Sequence, residues 1–161
     1  MPPGVPPLSL FTMLARDERL FERFMGGGLL DRGHLTLRQR EIVIDRVTAR
    51  CGAEYEWGVH VAFFAGKAML SEAQLASLVH GSADDRCWTD ELEKILIRVA
   101  DDLTDTATIA EDRWRAFAAG FSDEACLEVI LLCGFYRTVS CLVNATELPL
   151  ESFAVRFPAR G

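Results

Sequence analysis

One predicted helix begins with Glu54-Tyr55-Glu56-Trp57-Gly58-Val59-His60, which places two carboxylates and one imidazole at the head of an otherwise apolar segment. Glu56 and His60 are four residues apart, so on a helix their side chains lie on one face, about one turn from each other. A buried histidine beside a carboxylate can exchange a proton near neutral pH, as a general acid or base must. Alternatively, the two side chains only satisfy each other's hydrogen bonds within the core.

The sequence on both sides of this stretch predicts further helices. All six prolines lie outside Ser9 to Leu148, and apolar residues recur at spacings of three and four throughout that region. Alternation typical of strands is absent over any useful length. We therefore predict an all-α fold, a single compact domain of six or seven helices. The helices are expected at about 9–24, 37–51, 53–67, 71–80, 89–104, 108–119 and 122–148.

Three capping boxes support these boundaries, each a Ser or Thr followed three residues later by Gln or Glu. They are Thr36 with Gln39, Ser71 with Gln74, and Thr108 with Glu111. The last predicted helix is apolar on most sides and should lie in the core or in a subunit interface. The single domain is expected to span 1–161, with a recognisable core at about 35–148 and a short Pro-rich arm at 1–8.

Composition narrows the classes of function. The chain has 161 residues, half of them hydrophobic, and 17 Lys and Arg against 24 Asp and Glu give a net charge of −7 without a basic cluster. Nucleic acid is therefore not expected as a partner. The N-terminus lacks the basic start and apolar core of a signal peptide, and no apolar run approaches the ~20 residues of a membrane span. We expect a cytoplasmic protein that does not bind membranes.

The five cysteines contain no Cys-x-x-Cys pair and indicate neither a secreted disulfide framework nor a zinc ribbon. Glu56 and His60 also have the spacing of two helical metal ligands, to which His34 or His80 would add a third, but no second ligand pair at a recognisable spacing follows. No glycine-rich phosphate loop, nucleophile elbow or dinucleotide fingerprint occurs. We therefore predict no metal and no cofactor.

Charged residues on the preceding helix are candidates to join the Glu56 and His60 pair. Glu41 lies nineteen residues before His60, on a helix expected to pack antiparallel against the third one, and it would face either His60 or solvent. Arg40 projects from the centre of an apolar stripe, where an unpaired charge is costly. Its partner would be Glu54, Glu56 or a substrate carboxylate, unless the side chain reaches water.

Two further groups of polar residues occur on apolar helices. Lys67 shares one face of its helix with Glu56 and His60. The last helix has a broad polar face made by Cys133, Tyr136, Arg137, Ser140 and Asn144. Arg137 and Asn144 are the best candidates on that face to contact a ligand, and a solvent-facing seam is the alternative.

Together these residues resemble the carboxymuconolactone decarboxylase and alkylhydroperoxidase D superfamily. The resemblance rests on Arg40-Glu41, on residues 54–60, and on Gly66 followed by Ser71-Glu72-Ala73-Gln74. It covers roughly Leu35 to Leu78. It implies an alkylhydroperoxidase D-like helical fold and a homo-oligomer, commonly a trimer or a hexamer.

The peroxidase branch of this superfamily carries Cys-x-x-Cys followed by three residues and a histidine, with a relay glutamate nineteen residues before that histidine. His60 and Glu41 match the histidine and the glutamate, whereas Ala53 and Glu56 occupy the two cysteine positions. Glu56 can neither attack a peroxide nor form a disulfide, so dithiol peroxidase activity is not expected. An antioxidant role through Cys51 alone is an alternative, and it would need an outside thiol.

The decarboxylase branch resembles Glu-x-Glu-aromatic-x-x-His, which this chain reproduces from Glu54 to His60. The resemblance implies an enzyme that works without a cofactor on a small carboxylated metabolite such as a lactone, by decarboxylation or proton transfer. A non-catalytic helical oligomer that binds a small molecule or a partner is a further alternative.

The resemblance also implies roles for individual residues. His60 would deliver the proton to the substrate, Glu56 would orient the imidazole, and Glu41 would exchange protons with it. The candidate residues for binding the substrate are Arg40, Arg137 and Asn144.

Overall fold

The structure is a computed structural model that describes residues 6–160, and in that part of the chain it contains helices and connecting segments without strands. The helices are α1 Ser9–Leu14, α2 Glu18–Gly26, α3 Leu37–Arg50, α4 Glu54–His60, α5 Glu72–His80, α6 Glu91–Thr106, α7 Glu111–Gly120 and α8 Asp123–Ala145. A π-helical turn, Val61–Ala65, continues α4. The all-α prediction is confirmed. Residues 1–5 of the predicted Pro-rich arm lie outside the described part.

The predicted first helix, about 9–24, consists of two helices, so the expected count of six or seven is too low. α1 ends at Leu14, and the Asp17 side chain accepts a hydrogen bond from Leu20 N at 3.1 Å, which caps the start of α2. The backbone of Asp17 is extended, as an N-cap residue prefers. The chain therefore turns at a point where the apolar pattern continues unchanged.

Two of the three predicted capping boxes are confirmed. Those at Thr36 and Ser71 have both of their reciprocal hydrogen bonds. The third is wrong, because the hydroxyl of Thr108 lies 2.9 Å from that of Thr106, and α7 begins after Ala110 without a side-chain cap. A local contact between two threonines has replaced the cap.

α3 is the central helix of the fold. It packs against α4, α5, α6 and α8, and every residue from 40 to 48 is buried. Four of these residues are charged: Arg40, Glu41, Asp45 and Arg46. Buried charges are costly unless they are paired, so the partners of α3 determine much of the interior.

Arg46 connects α3 to two neighbouring helices. Its Nε and Nη2 atoms donate to the two carboxylate oxygens of Asp101 on α6, at 2.6 and 2.9 Å. Its Nη1 atom donates to the carbonyls of Ser77 and Leu78 on α5, at 3.3 and 2.8 Å. This arrangement uses the planar fork of the guanidinium, which a lysine ammonium cannot reproduce.

Arg46→Lys is expected to lower the free energy of unfolding by about 2 kcal/mol, because lysine keeps the charge but loses the forked contact. Urea denaturation at neutral pH measures the change. Arg50→Lys is the matched control, since Arg50 pairs with Asp105 but its side chain is 38% exposed against 3% for Arg46. The control should lose less than about 1 kcal/mol. Equal losses in the two variants would contradict the prediction.

α8 is long and apolar enough to cross a membrane. Buried core helices of globular proteins can have the same length and hydropathy. This corrects the expectation that no apolar run approaches that length. One side of α8 is buried in the core, whereas Leu127 and Leu131 on another side are exposed. The predicted homo-oligomer stays a prediction.

Candidate active site

The polar residues at the head of α4 point in two directions. The carboxylate of Glu54 accepts hydrogen bonds from the backbone N of Phe157 at 2.9 Å and from Arg156 at 3.2 Å. Glu54 thus binds the carboxyl-terminal segment to the start of the helix. Glu56 and His60 point into the interior, where they are 7% and 4% exposed.

The carboxyl-terminal segment lies directly on α4 at Gly58. Val155 N donates to the carbonyl of Gly58 at 3.1 Å, and a Cβ atom at position 58 would overlap the carbonyl oxygen of Val155. This close approach of two backbones requires glycine. The ring of Phe157 also packs on that of Trp57, with their centroids 5.1 Å apart. The segment therefore braces the helix that carries His60.

His60 is the centre of the candidate site. Its Nδ1 atom lies 2.7 Å from Oε2 of Glu41, and its Nε2 atom lies 3.1 Å from Oη of Tyr136 and 3.4 Å from Oε1 of Glu56. The predicted juxtaposition of Glu56 and His60 is present in the structure. The shortest of the three contacts, however, is the one to Glu41, which the sequence suggested only as an additional member.

Glu41 also connects His60 to Arg40. Its Oε1 atom accepts hydrogen bonds from Nε and Nη2 of Arg40, at 3.0 and 2.9 Å, while Nη1 of Arg40 donates to the carbonyl of Leu30 at 2.9 Å. The partner of Arg40 is therefore its neighbour in sequence, and not one of the more distant carboxylates. Three of the five N–H donors of Arg40 are thus used within the protein, and its role in holding the substrate stays a prediction.

The charge state of His60 follows from these contacts. Burial disfavours the imidazolium, but the hydrogen bonds and negative charges of Glu41 and Glu56 outweigh that cost and raise the pKa of His60 to about 10. His60 is therefore protonated at neutral pH. Both ring nitrogens then donate, Nδ1 to Glu41 and Nε2 towards Tyr136.

Tyr136, on α8, is the site residue that sequence reasoning did not select. Burial and the negative charges of Glu56 and Glu41 raise the pKa of Tyr136 far above its ordinary value, so the phenol stays protonated. Because its oxygen accepts from His60, its own hydrogen remains available to another acceptor. The only signal in the sequence was its place on the polar face of the last helix.

Glu56, His60 and Tyr136 line one part of a cavity of about 790 Å³. Lys67 lines it too, so the three residues of the predicted polar stripe on α4 and its extension face a common space. Much of the remaining wall is aromatic and consists of Phe11, Phe24, Phe63, Phe64 and Phe135. Cavities of several hundred cubic ångströms with few polar groups are typical of sites for small organic ligands.

Residues 18–97 match the sequence profile of the carboxymuconolactone decarboxylase family. The chain belongs to that family. The resemblance carried by the motif residues is thereby confirmed, and the matched region includes Glu41, Glu56 and His60. No curated protein matches the chain.

Solved structures share the fold of this carboxymuconolactone decarboxylase family member. An uncharacterized peroxidase-related protein from Silicibacter sp. TM1040 has a TM-score of 0.79 at 17% identity, over 92% of this chain and 80% of that one. A protein of unknown function from Agrobacterium tumefaciens, named as a candidate antioxidant defence protein AhpD, has a TM-score of 0.73 at 17% identity, over 86% and 95%. The debrominase Bmp8, in complex with 2,3,4-tribromopyrrole, has a TM-score of 0.72 at 15% identity, over 93% and 80%. The predicted alkylhydroperoxidase D-like fold is confirmed.

The fold of this family member places Arg137 and Asn144 away from the cavity. Arg137 donates to the carbonyl of Thr104 at 2.7 Å, and Asn144 donates to the carbonyl of Cys51 at 2.9 Å. Both side chains are exposed. Neither residue lines the cavity, and their contact with a ligand stays a prediction.

The cysteines of this family member do not line the cavity either. Cys51 is half-buried, and burial raises the pKa of its thiol, which lowers the fraction of reactive thiolate. Burial also raises the pKa of Cys133 on α8, to about 12. At Cys51 the positive charges of Arg50 and Arg137 favour the thiolate, but the effect of burial is larger and the pKa is raised.

Within residues 6–160, no three His, Cys, Asp or Glu side chains converge in a geometry suited to a metal ion. Of the two histidines considered as third ligands, His80 is engaged with the carboxyl-terminal segment, its Nε2 atom lying 2.6 Å from the carbonyl oxygen of Pro158. His34 is exposed on the loop before α3.

Proposed function

We propose that this protein is an enzyme that uses His60 as a proton donor on a small carboxylated metabolite, by decarboxylation or a related proton transfer, without a cofactor. The observation that carries this proposal is the buried, protonated imidazole held between Glu41 and Tyr136 at the edge of a cavity. Strongly shifted ionisable groups that border a cavity are typical of catalytic sites.

The geometry supports a simple sequence of events. The bond between the substrate's carboxylate and its neighbouring carbon breaks, and the electron pair passes into a conjugated carbonyl group while CO₂ leaves. The hydroxyl of Tyr136 donates a hydrogen bond to the oxygen on which negative charge develops. The proton at Nε2 of His60 then passes to the carbon, and water restores the imidazolium.

Glu41 and Glu56 act through the imidazole. Glu41 fixes the orientation of the ring through Nδ1 and stabilises its positive charge, and Arg40 holds Glu41 in place. Glu56 lies beside Nε2 at 3.4 Å, where it opposes loss of the proton until a more basic carbon is present.

Two findings support an enzyme over the alternatives. The cavity is bordered by both Glu56 and His60, as an active site requires and a closed structural pair would not. The debrominase that shares the fold was solved with a small ring compound, which shows that this architecture can accommodate such a molecule in that protein. The antioxidant alternative lacks a thiol at the cavity.

A panel of small carboxylated lactones and keto acids, assayed for CO₂ release, tests the proposal. His60→Gln is expected to reduce the rate by a factor of about 100 or more, as is typical when a general acid is removed. His34→Gln, which changes an exposed histidine, is the matched control and should retain full activity. Equal rates for wild type and His60→Gln would overturn the role of His60 as proton donor, and the absence of CO₂ release from every compound would overturn decarboxylation as the reaction.

A further inference from the structure

We propose that the substrate of this cavity is a ring compound with a single anionic oxygen group, a flat apolar mono-acid rather than a polar di-acid. The flat ring would lie among the phenylalanines, with the anionic group at Lys67. This inference deepens the proposed function and rests on it for the identity of the reaction site.

The aromatic wall of the cavity comes from separate parts of the chain. Phe24 of α2 packs on Phe135 of α8, with their ring centroids 5.1 Å apart, and Phe63 and Phe64 of the π-helical turn have centroids 6.3 Å apart. The rings within each pair are tilted or edge-on to each other. A flat ring of a ligand can pack against them in the same favourable geometries. A small hydrophilic lactone would leave most of this surface without a suitable partner.

The cationic groups at the cavity indicate where the acid group binds. Nζ of Lys67 lies 5.6 Å from the centroid of the Phe64 ring, and the ring of His60 lies 5.4 Å from the same centroid. A ligand that lies along Phe64 can therefore reach both the ammonium and the proton donor. In the proposed binding mode, the carbon next to the acid group lies along Phe64 between Lys67 and His60.

The number of free charges favours one acid group. Within the described residues, Lys67 has no carboxylate partner, whereas the cations of Arg40 and His60 are balanced by the carboxylates of Glu41 and Glu56. Two carboxylates of the protein, Glu56 and Asp31, also border the cavity. A second anionic group on the ligand would thus meet negative charge without a second free cation.

Isothermal titration of the full-length protein with three probes tests the inference. The probes are 2-naphthoate, its neutral amide 2-naphthamide, and adipate, an acyclic di-acid. The naphthoate should bind, the amide should bind about tenfold more weakly because it lacks the charge, and adipate should give no measurable heat. Adipate binding as tightly as the naphthoate would overturn the inference.

Variants assign the two parts of the ligand to their proposed contacts. Lys67→Met should weaken the naphthoate by about tenfold and leave the amide unchanged, whereas Phe64→Leu should weaken both. Lys94→Met is the matched control, since Lys94 is paired with Glu91 on α6, outside the cavity lining. Thermal melts confirm that each variant is folded. An unchanged affinity of Lys67→Met for the naphthoate would contradict the proposed anion contact.

The result is separable from that of the proposed function. If the binding pattern holds and no acid releases CO₂, the reaction is wrong and the ligand class stands. If polar lactones are decarboxylated and the naphthoate does not bind, the ligand class is wrong and the reaction stands.

Discussion

Glu41→Gln is expected to lower the free energy of unfolding by about 3 kcal/mol and to lower the pKa of His60. One oxygen of Glu41 lies 2.7 Å from His60, and the other accepts both hydrogen bonds from Arg40. The amide cannot balance either charge, so the variant leaves a buried guanidinium without its counterion. Without the Glu41 carboxylate, burial still lowers the pKa of His60, and only Glu56 remains to raise it. Urea denaturation measures the first effect, and an NMR titration of the His60 ring protons measures the second.

Glu56→Gln is the matched control for this prediction. Its carboxylate lies 3.4 Å from Nε2 of His60, and its second oxygen has no hydrogen-bond partner within the described residues. Removing its charge should cost less than about 1 kcal/mol, because an unsatisfied buried oxygen contributes little to stability. If Glu56→Gln lost as much stability as Glu41→Gln, the two carboxylates would be equivalent and Glu41 would not be the main partner of His60.

The stability of the protein is expected to fall as the pH rises from about 6.5 to about 10. The pKa of His60 increases from 6.5 to about 10 on folding, so the folded state binds the proton more tightly than the unfolded state. Below pH 6.5 both states are protonated and the full stabilisation is present; above pH 10 neither is, and the stabilisation is lost. The total over this interval is on the order of 5 kcal/mol.

Urea denaturation of wild type and His60→Gln at a series of pH values isolates this effect. Cysteine, tyrosine and lysine side chains also titrate near the upper end of the interval, but they do so in both proteins. The groups that border His60 are Glu41, Glu56 and Tyr136, and the positive charge of His60 acts in turn on the buried carboxyl group of Asp45 on α3. The difference between the two proteins should shrink steadily with increasing pH. A difference independent of pH would mean that His60 is neutral in the folded protein.

The contacts that the sequence predicted correctly join residues only three or four positions apart. The spacing of Glu56 and His60 fixes their relation on one helix, and Thr36 and Ser71 fix the starts of their helices through contacts three residues away. The equally local box predicted at Thr108 does not form, because the Thr108 hydroxyl contacts that of Thr106 instead. The cap at Asp17 is also local, since its carboxylate accepts from the backbone N of Leu20, but the apolar period continues across it and does not indicate the break between α1 and α2.

The remaining parts of the site depend on how α8 is rotated against α3 and α4. Neighbouring residues on a helix point about 100° apart, so the choice between Tyr136 and Arg137 is decided by which side of α8 faces the core. Tyr136 reaches His60, 76 residues earlier, and Arg137 turns to solvent. The pairing of Arg40 with its neighbour Glu41 likewise follows from the burial of both side chains, which no spacing rule describes.

The contact between Gly58 and the carboxyl-terminal segment has a consequence for evolution within the family. A side chain at position 58 and a chain that crosses it at Val155 exclude each other. The two features should therefore change together: members that retain the crossing segment are constrained to glycine, and members that end earlier are released from that constraint. An alignment of relatives would show this as covariation between one position in the middle of the motif and the length of the chain.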